Sequence, residues 1–146
     1  MPTRIQFYHN SPSPIDLACE FTHNAFNKGR RVAIFLSHEQ EAHDLDRLLW
    51  QTPPHVFYPH VRADHALAAE TPIVLSYPGL NTPWPHHDLL FNLSPESPPD
   101  WKQFKMLVEI VGQTIASRQP ARQRWQLYKQ EGYTLEPFDA EKRSAL

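Results

Sequence analysis

The stretch "RRVAIFLS" confines this chain more than any other, because five apolar residues run without interruption from Val32 to Leu36. A strand with water on one side alternates apolar and polar residues, whereas an unbroken apolar strand is buried on both faces. Such a strand belongs inside a parallel sheet with helices above and below, so the neighbouring segments should supply helices. They do. Upstream, "SPIDLACEFTHNAFNKG" reads as a helix capped by Ser13, opened by Pro14 and closed at Gly29. Downstream, "SHEQEAHDLDRLLW" places Ser37 and Gln40 at capping-box spacing and repeats Ala42, Leu45, Leu48 and Leu49 at helical intervals.

The remaining segments extend that alternation. "RIQFYHN" predicts a first strand, with Ile5 and Phe7 alternating with Arg4 and Gln6, while "PIVLSY" and "HDLLFNLS" predict two more after the proline-marked break at "QTPPHVFYPH". Pro95, Pro98 and Pro99 read as a linker. Beyond it, "WKQFKMLVEIVGQTIASR" reads as one long helix and "PARQRWQLYKQEG" as a second, with Pro120 near its first turn and Gly132 at its end. The expected architecture is a single three-layer α/β domain with a mainly parallel sheet over residues 1–139, followed by a flexible tail over 140–146.

Composition narrows the partners. A net charge of -2 over 146 residues gives no positive field for the phosphate backbone, so direct DNA binding is not expected. One cysteine, Cys19, excludes an internal disulfide, and no apolar run resembles a signal peptide or membrane span. The expectation is a cytoplasmic chain.

Much familiar chemistry is missing. The glycines at 29, 79, 112 and 132 form neither a dinucleotide fingerprint nor a phosphate-binding loop, and no nucleophile elbow occurs. His55, His60, His65, His86 and His87 fall in proline-rich loops without metal-ligand spacing. Cys19 reads as inert packing and the carboxylates of the second helix as a solvated face. No catalytic residue, cofactor or metal is expected. The alternative, a small nucleotide- or metal-dependent hydrolase, requires the histidine loops to converge on one pocket.

Two surfaces instead suggest partners. On a helix that runs back across Pro120, Arg118, Arg122, Trp125 and Lys129 follow one another at spacings of four, three and four residues and share a face. Guanidinium groups flanking an indole suit an acidic peptide that also carries an aromatic or a free carboxylate. Two readings of Trp125 stay open: a core ring beside solvated cations, or a binding platform. Leu127 and Tyr128 are expected on the inward side. The second surface is "LLWQTPPHVFYPH", where Trp50, Phe57 and Tyr58 cluster around a double proline and either pack inward or form a protein interface.

The order of "IQFYHN", "KGRRVAIFLSHEQEAHDLDRLLW", "HVFYPH", "PIVLSY", "DLLFNLS" and "ARQRWQLYKQEGYTL" closely resembles the chi subunit of bacterial DNA polymerase III over nearly the whole chain. The resemblance implies a nucleotide-binding-like α/β fold that holds no nucleotide, in a non-catalytic accessory subunit of the clamp-loader complex. It also implies two partners, the psi subunit and the acidic C-terminal tail of single-stranded DNA-binding protein. By that resemblance Arg122 and Trp125 match the tail-binding arginine and aromatic, Arg118 an upstream basic residue, and Val111, on the preceding helix, an apolar wall. Lys129 is expected to assist. Trp50 and Phe57 match the psi surface, which a repair helicase contests in some bacteria. Gln126 stands where the family often carries a basic residue, which implies either weaker tail binding or a greater reliance on Arg118 and Lys129.

Overall fold

Strand β1 (Arg4–Ser11) is the hub of one half of the molecule and β2 (Val32–Phe35) of the other. The computed structural model describes residues 2–51, 58–142, 144 and 145. β1 pairs in parallel with β6 (Met106–Gly112) and with β7 (Leu135–Asp139), while β2 lies between β4 (Ile73–Ser76) and β5 (Leu89–Asn92). β3 (His60–Arg62) and β8 (Ser144–Ala145) complete the order β3-β4-β2-β5-β6-β1-β7-β8, in which only β8 runs antiparallel. The predicted mainly parallel sheet is therefore present.

Its two faces are both covered, as the apolar run in β2 requires. Val32 and Ile34 join Leu17, Ala18, Leu45 and Leu49 from α1 (Pro14–Asn27) and α2 (Glu39–Gln51) in one core. Ala33 and Phe35 face the other way, into a core with Ile5, Phe7, Leu107, Trp84 and Trp101 that is closed by Ala121 and Tyr128 of α3 (Ile115–Gln130). Three layers result, with α1 and α2 on one side and α3 on the other.

Local signals behave largely as their chemistry dictates. Ser13 caps α1 by accepting from the Asp16 N–H, and Pro14 occupies the first turn. At α2 the reciprocal cap is shifted by one residue from the predicted pair. His38 Nδ1 accepts from the Glu41 N–H at 3.2 Å, and the Glu41 carboxylate takes the Ser37 N–H at 2.8 Å. Gln40 instead donates to Asp44, one turn on.

One expectation fails in a useful way. The segment 101–118 is not a helix: a 3-10 turn at Trp101–Gln103 leads into β6, and α3 begins only at Ile115. Phe104, Leu107, Val108 and Val111 fall at helical spacing by coincidence, while the β-branched Val108, Ile110 and Val111 fill both faces of a central strand. α3 starts where Thr114 caps it by accepting the Ser117 N–H. Pro120 therefore lies inside the helix, and Arg118 shares one helix with Arg122.

The misread strand carries the most consequential side chain in the fold. Glu109 points to the α3 face of β6 and is fully buried. Arg124 answers it with Nε at 3.1 Å and Nη2 at 2.9 Å, and its Nη1 donates to the Pro95 carbonyl at 2.7 Å. Tyr128 Oη donates to the same carboxylate at 2.8 Å and Asn92 Nδ2 at 2.8 Å. Burial pushes the Glu109 carboxyl up, and these donors pull it back toward the ionised form. Burial, with the Glu109 charge beside it, raises the Tyr128 hydroxyl, which thus remains a donor.

Arg124→Ala should destabilise the domain by about 3 to 5 kcal/mol, because it strands a buried carboxylate. Tyr128→Phe should cost about 1.5 to 3 kcal/mol through one lost bond to a charged acceptor. Arg122→Ala, at an exposed position outside that network, should stay within about 0.5 kcal/mol of the parent. Urea titrations of the three variants check this order; equal losses at Arg122 and Arg124 would contradict it.

Candidate functional site

A pocket of 440 Å³ opens at the carboxyl ends of the parallel strands, where α/β sheets commonly receive ligands. Each wall comes from a different element. β1 contributes His9 and Asn10, β6 contributes Val111, β7 contributes Asp139, and α3 contributes Arg118, Ala121 and Arg122. Val111 is a strand residue rather than the predicted helix residue, yet it lines the same pocket as both arginines. It and Ala121 are buried, which gives the pocket an apolar floor.

The backbone is arranged to make this room. The β1–β6 register slips between Tyr8 and Ser11, and Asn10 takes a left-handed φ of 62°, a conformation that asparagine tolerates better than most side chains. Gln113 Nε2 donates to the Asn10 carbonyl at 3.3 Å and to the Glu141 carboxylate at 2.9 Å, so the end of β6 and the turn after β7 hold the bulge from both sides. At Gly112, the last residue of β6, a Cβ would stand 3.0 Å from Ser117 Oγ. Its absence lets α3 start directly against the strand end.

Arg118 and Arg122 are exposed and, among the described residues, neither forms a salt bridge. Two guanidinium groups one helical turn apart over an apolar floor have the geometry and charge that could accept carboxylates. Trp125 follows on the same helix. It is half-buried, packed edge-on against Phe7 with centroids 5.1 Å apart and tilted against His9 at 5.9 Å. The core reading of this ring holds in part, because one edge is tied into the core; Trp125 does not itself line the pocket and stands beside it behind His9. Lys129 is exposed but does not line the pocket.

Leu127 departs from expectation. It is 46% exposed, and Arg124 takes an inward position beside Tyr128, because the buried Glu109 requires a cation there. Spacing alone treated Arg124 as one more basic residue of the stretch. His9 and Asp139 were not among the expected site residues at all.

The second predicted surface is only partly described. Trp50, in the last turn of α2, is 55% exposed, with its ring edge-on to the buried His60 at 5.0 Å. Phe57 lies outside the described residues. Tyr58 is buried, stacked on His23 at 4.1 Å and edge-on to Phe26.

The histidines do not gather. His60 donates from Nδ1 to the Tyr58 carbonyl at 2.6 Å, His65 accepts from the Leu67 N–H, and His87 packs on Phe104. Among the described residues no group of three His, Cys, Asp or Glu side chains is placed to hold a metal. Burial pushes the Cys19 thiol up to about 11, so it remains protonated. Among the described residues no helix is long and apolar enough to cross a membrane.

Residues 1–136 match the family model described as DNA polymerase III chi subunit, HolC. A protein of Pseudomonas aeruginosa named DNA polymerase III subunit chi is 34% identical over 139 residues, covering 92% of this chain and 94% of the relative. Proteins of the same name from Haemophilus influenzae and Escherichia coli are 30% and 28% identical, and this chain covers 83% and 80% of them. With a family match over almost its full length and the sheet to go with it, the chain belongs to the chi subunit family of DNA polymerase III, a replication accessory subunit.

Proposed function

We propose that the chain is a non-catalytic bridge within the polymerase III holoenzyme, joining the psi subunit of the clamp loader to the acidic C-terminal tail of single-stranded DNA-binding protein. The observation that carries the tail half is the pocket in which Arg118 and Arg122, without ion-pair partners among the described residues, overlook Val111 and Ala121. Tail carboxylates meet the guanidinium groups, and the terminal aromatic of the tail lodges on the apolar floor toward Trp125. Charge guides the approach and the buried ring holds it. Contact with DNA is then made through the coating protein. This fits a chain of net charge -2.

The psi half rests on Trp50, a large apolar ring standing half out of the surface at the end of α2. Large aromatic rings are the usual anchors of protein interfaces. Phe57 belongs to the same proposed surface by family resemblance, and a repair helicase that used it would compete with psi.

Two measurements test the bridge. Exposed ion pairs give about 0 to 1 kcal/mol each, so a micromolar constant, about 8 kcal/mol, needs several together with a buried ring. In calorimetry with a tail peptide, affinity should fall but not vanish as salt is raised. Arg122→Ala should be the most damaging change, Trp125→Ala the next, and Gln126→Lys should strengthen binding modestly. An unchanged constant for folded Arg122→Ala would remove α3 from the account. For psi, Trp50→Ala should cost about 2 kcal/mol or more of binding while the domain stays folded; undiminished co-purification would place the psi interface elsewhere.

A further inference from the structure

His9 stands at the end of β1 in the wall of the pocket, and neither the tail contact nor the psi contact described above uses it. Its imidazole stacks on Phe7, with centroids 5.5 Å apart and planes 16° apart, and is tilted against Trp125 at 5.9 Å, so the three rings form one cluster. Among the described residues its ring nitrogens make no hydrogen bond. The ring is therefore fixed in position by aromatic contacts while its polar atoms are uncommitted.

The charged groups that line its pocket come from two elements. β7 brings Asp139, whose carboxylate accepts the backbone N–H groups of Glu141 at 3.0 Å and Lys142 at 2.9 Å. α3 brings Arg118 and Arg122. In the free chain burial holds the His9 imidazole below its ordinary range, with Asp139 pulling the other way. At neutral pH the ring is thus mainly uncharged. A ligand rich in carboxylates changes that balance, because added negative charge beside an imidazole favours its protonated form.

We propose that His9 is a further contact residue of this pocket, taking up a proton when an acidic peptide with a free terminal carboxylate is seated against Arg118 and Arg122. The proposal rests on the tail-binding reading above and adds to it a regulating residue. It makes binding proton-coupled: the bound complex holds the His9 proton to higher pH than the free chain does. The added affinity is complete at pH values below the free titration and is lost as pH rises through the bound one. Asp139, at the same wall, keeps the imidazolium partnered and sets a limit on how much acidic charge the inner end accepts.

The probe is a synthetic peptide of acidic residues ending in phenylalanine with a free carboxylate, titrated into the full chain. Calorimetry is run at about pH 6 and about pH 8, in two buffers of different ionisation enthalpy, and the His9 ring resonance is followed by NMR with and without peptide. Binding should be about threefold to tenfold tighter at the lower pH, with net proton uptake and an upward shift of the His9 midpoint on binding. His9→Gln should bind with an affinity that no longer varies over that range, while still depending on Arg122. Equal constants at both pH values without proton uptake, or a His9 midpoint that the peptide leaves unmoved, would overturn the role of His9 even if Arg122 proved essential. The NMR titration reads the wild-type chain and stands whether or not the variant folds. Absence of binding at either pH would overturn the tail-binding reading and this proposal with it.

Discussion

A carboxylate in the middle of a buried strand must be met by a cation from the layer above, and in this chain that demand fixes how α3 lies. Glu109 is wholly enclosed, and Arg124, Tyr128 and Asn92 converge on it. Two of those donors are on α3, four residues apart, so they fix the helix both along its axis and in rotation. Side chains two positions apart on a helix differ by about 200° in direction. Turning Arg124 inward therefore turns Arg122 outward, and with it Arg118 one turn earlier. A buried ion pair of this kind adds little net stability over an apolar replacement, but it penalises any rotation of the helix that would leave the carboxylate alone.

The pocket is a consequence of that orientation combined with the sheet. Parallel strands end at one edge, and here β1, β6 and β7 end side by side beneath the first turns of α3. Gly112 allows the helix to begin close to the strand, while the bulge at Asn10 moves the end of β1 aside. An overall net charge of -2 does not prevent local anion recognition, because screening confines each charge to about 10 Å. The field that an acidic peptide meets is that of Arg118 and Arg122. DNA, which needs a long cationic track, would find only this short one.

The layered fold was legible because strands such as Val32–Leu36 and helices such as 14–27 announce themselves through period and capping. Segment 101–118 was not, since a run buried on both faces shows the same apolar positions whether it is strand or helix. Its β-branched residues were the available signal. Arg118 and Arg122 were placed on one helix face by spacing and Val111 beside them by family resemblance, and all three line the pocket, while Trp125, expected with them, stands outside its lining. Arg124 was concealed by its basic neighbours, because only the position of Glu109 in the sheet distinguishes an inward cation from an outward one. His9 and Asp139 were out of reach for a different reason. They stand at the two ends of the chain, and strand pairing alone brings them to one wall.

The central claim is that α3 divides its basic residues between the core and a pocket for an acidic tail. Amide chemical-shift mapping of the full chain, titrated with an acidic peptide ending in a free carboxylate, tests it most directly. The account predicts that the largest perturbations fall on residues 9–10, 111–112 and 118–125, with the signals of α1 and α2 nearly unmoved. Perturbations centred on the end of α2, or on the loops that follow β4 and β5, would contradict it.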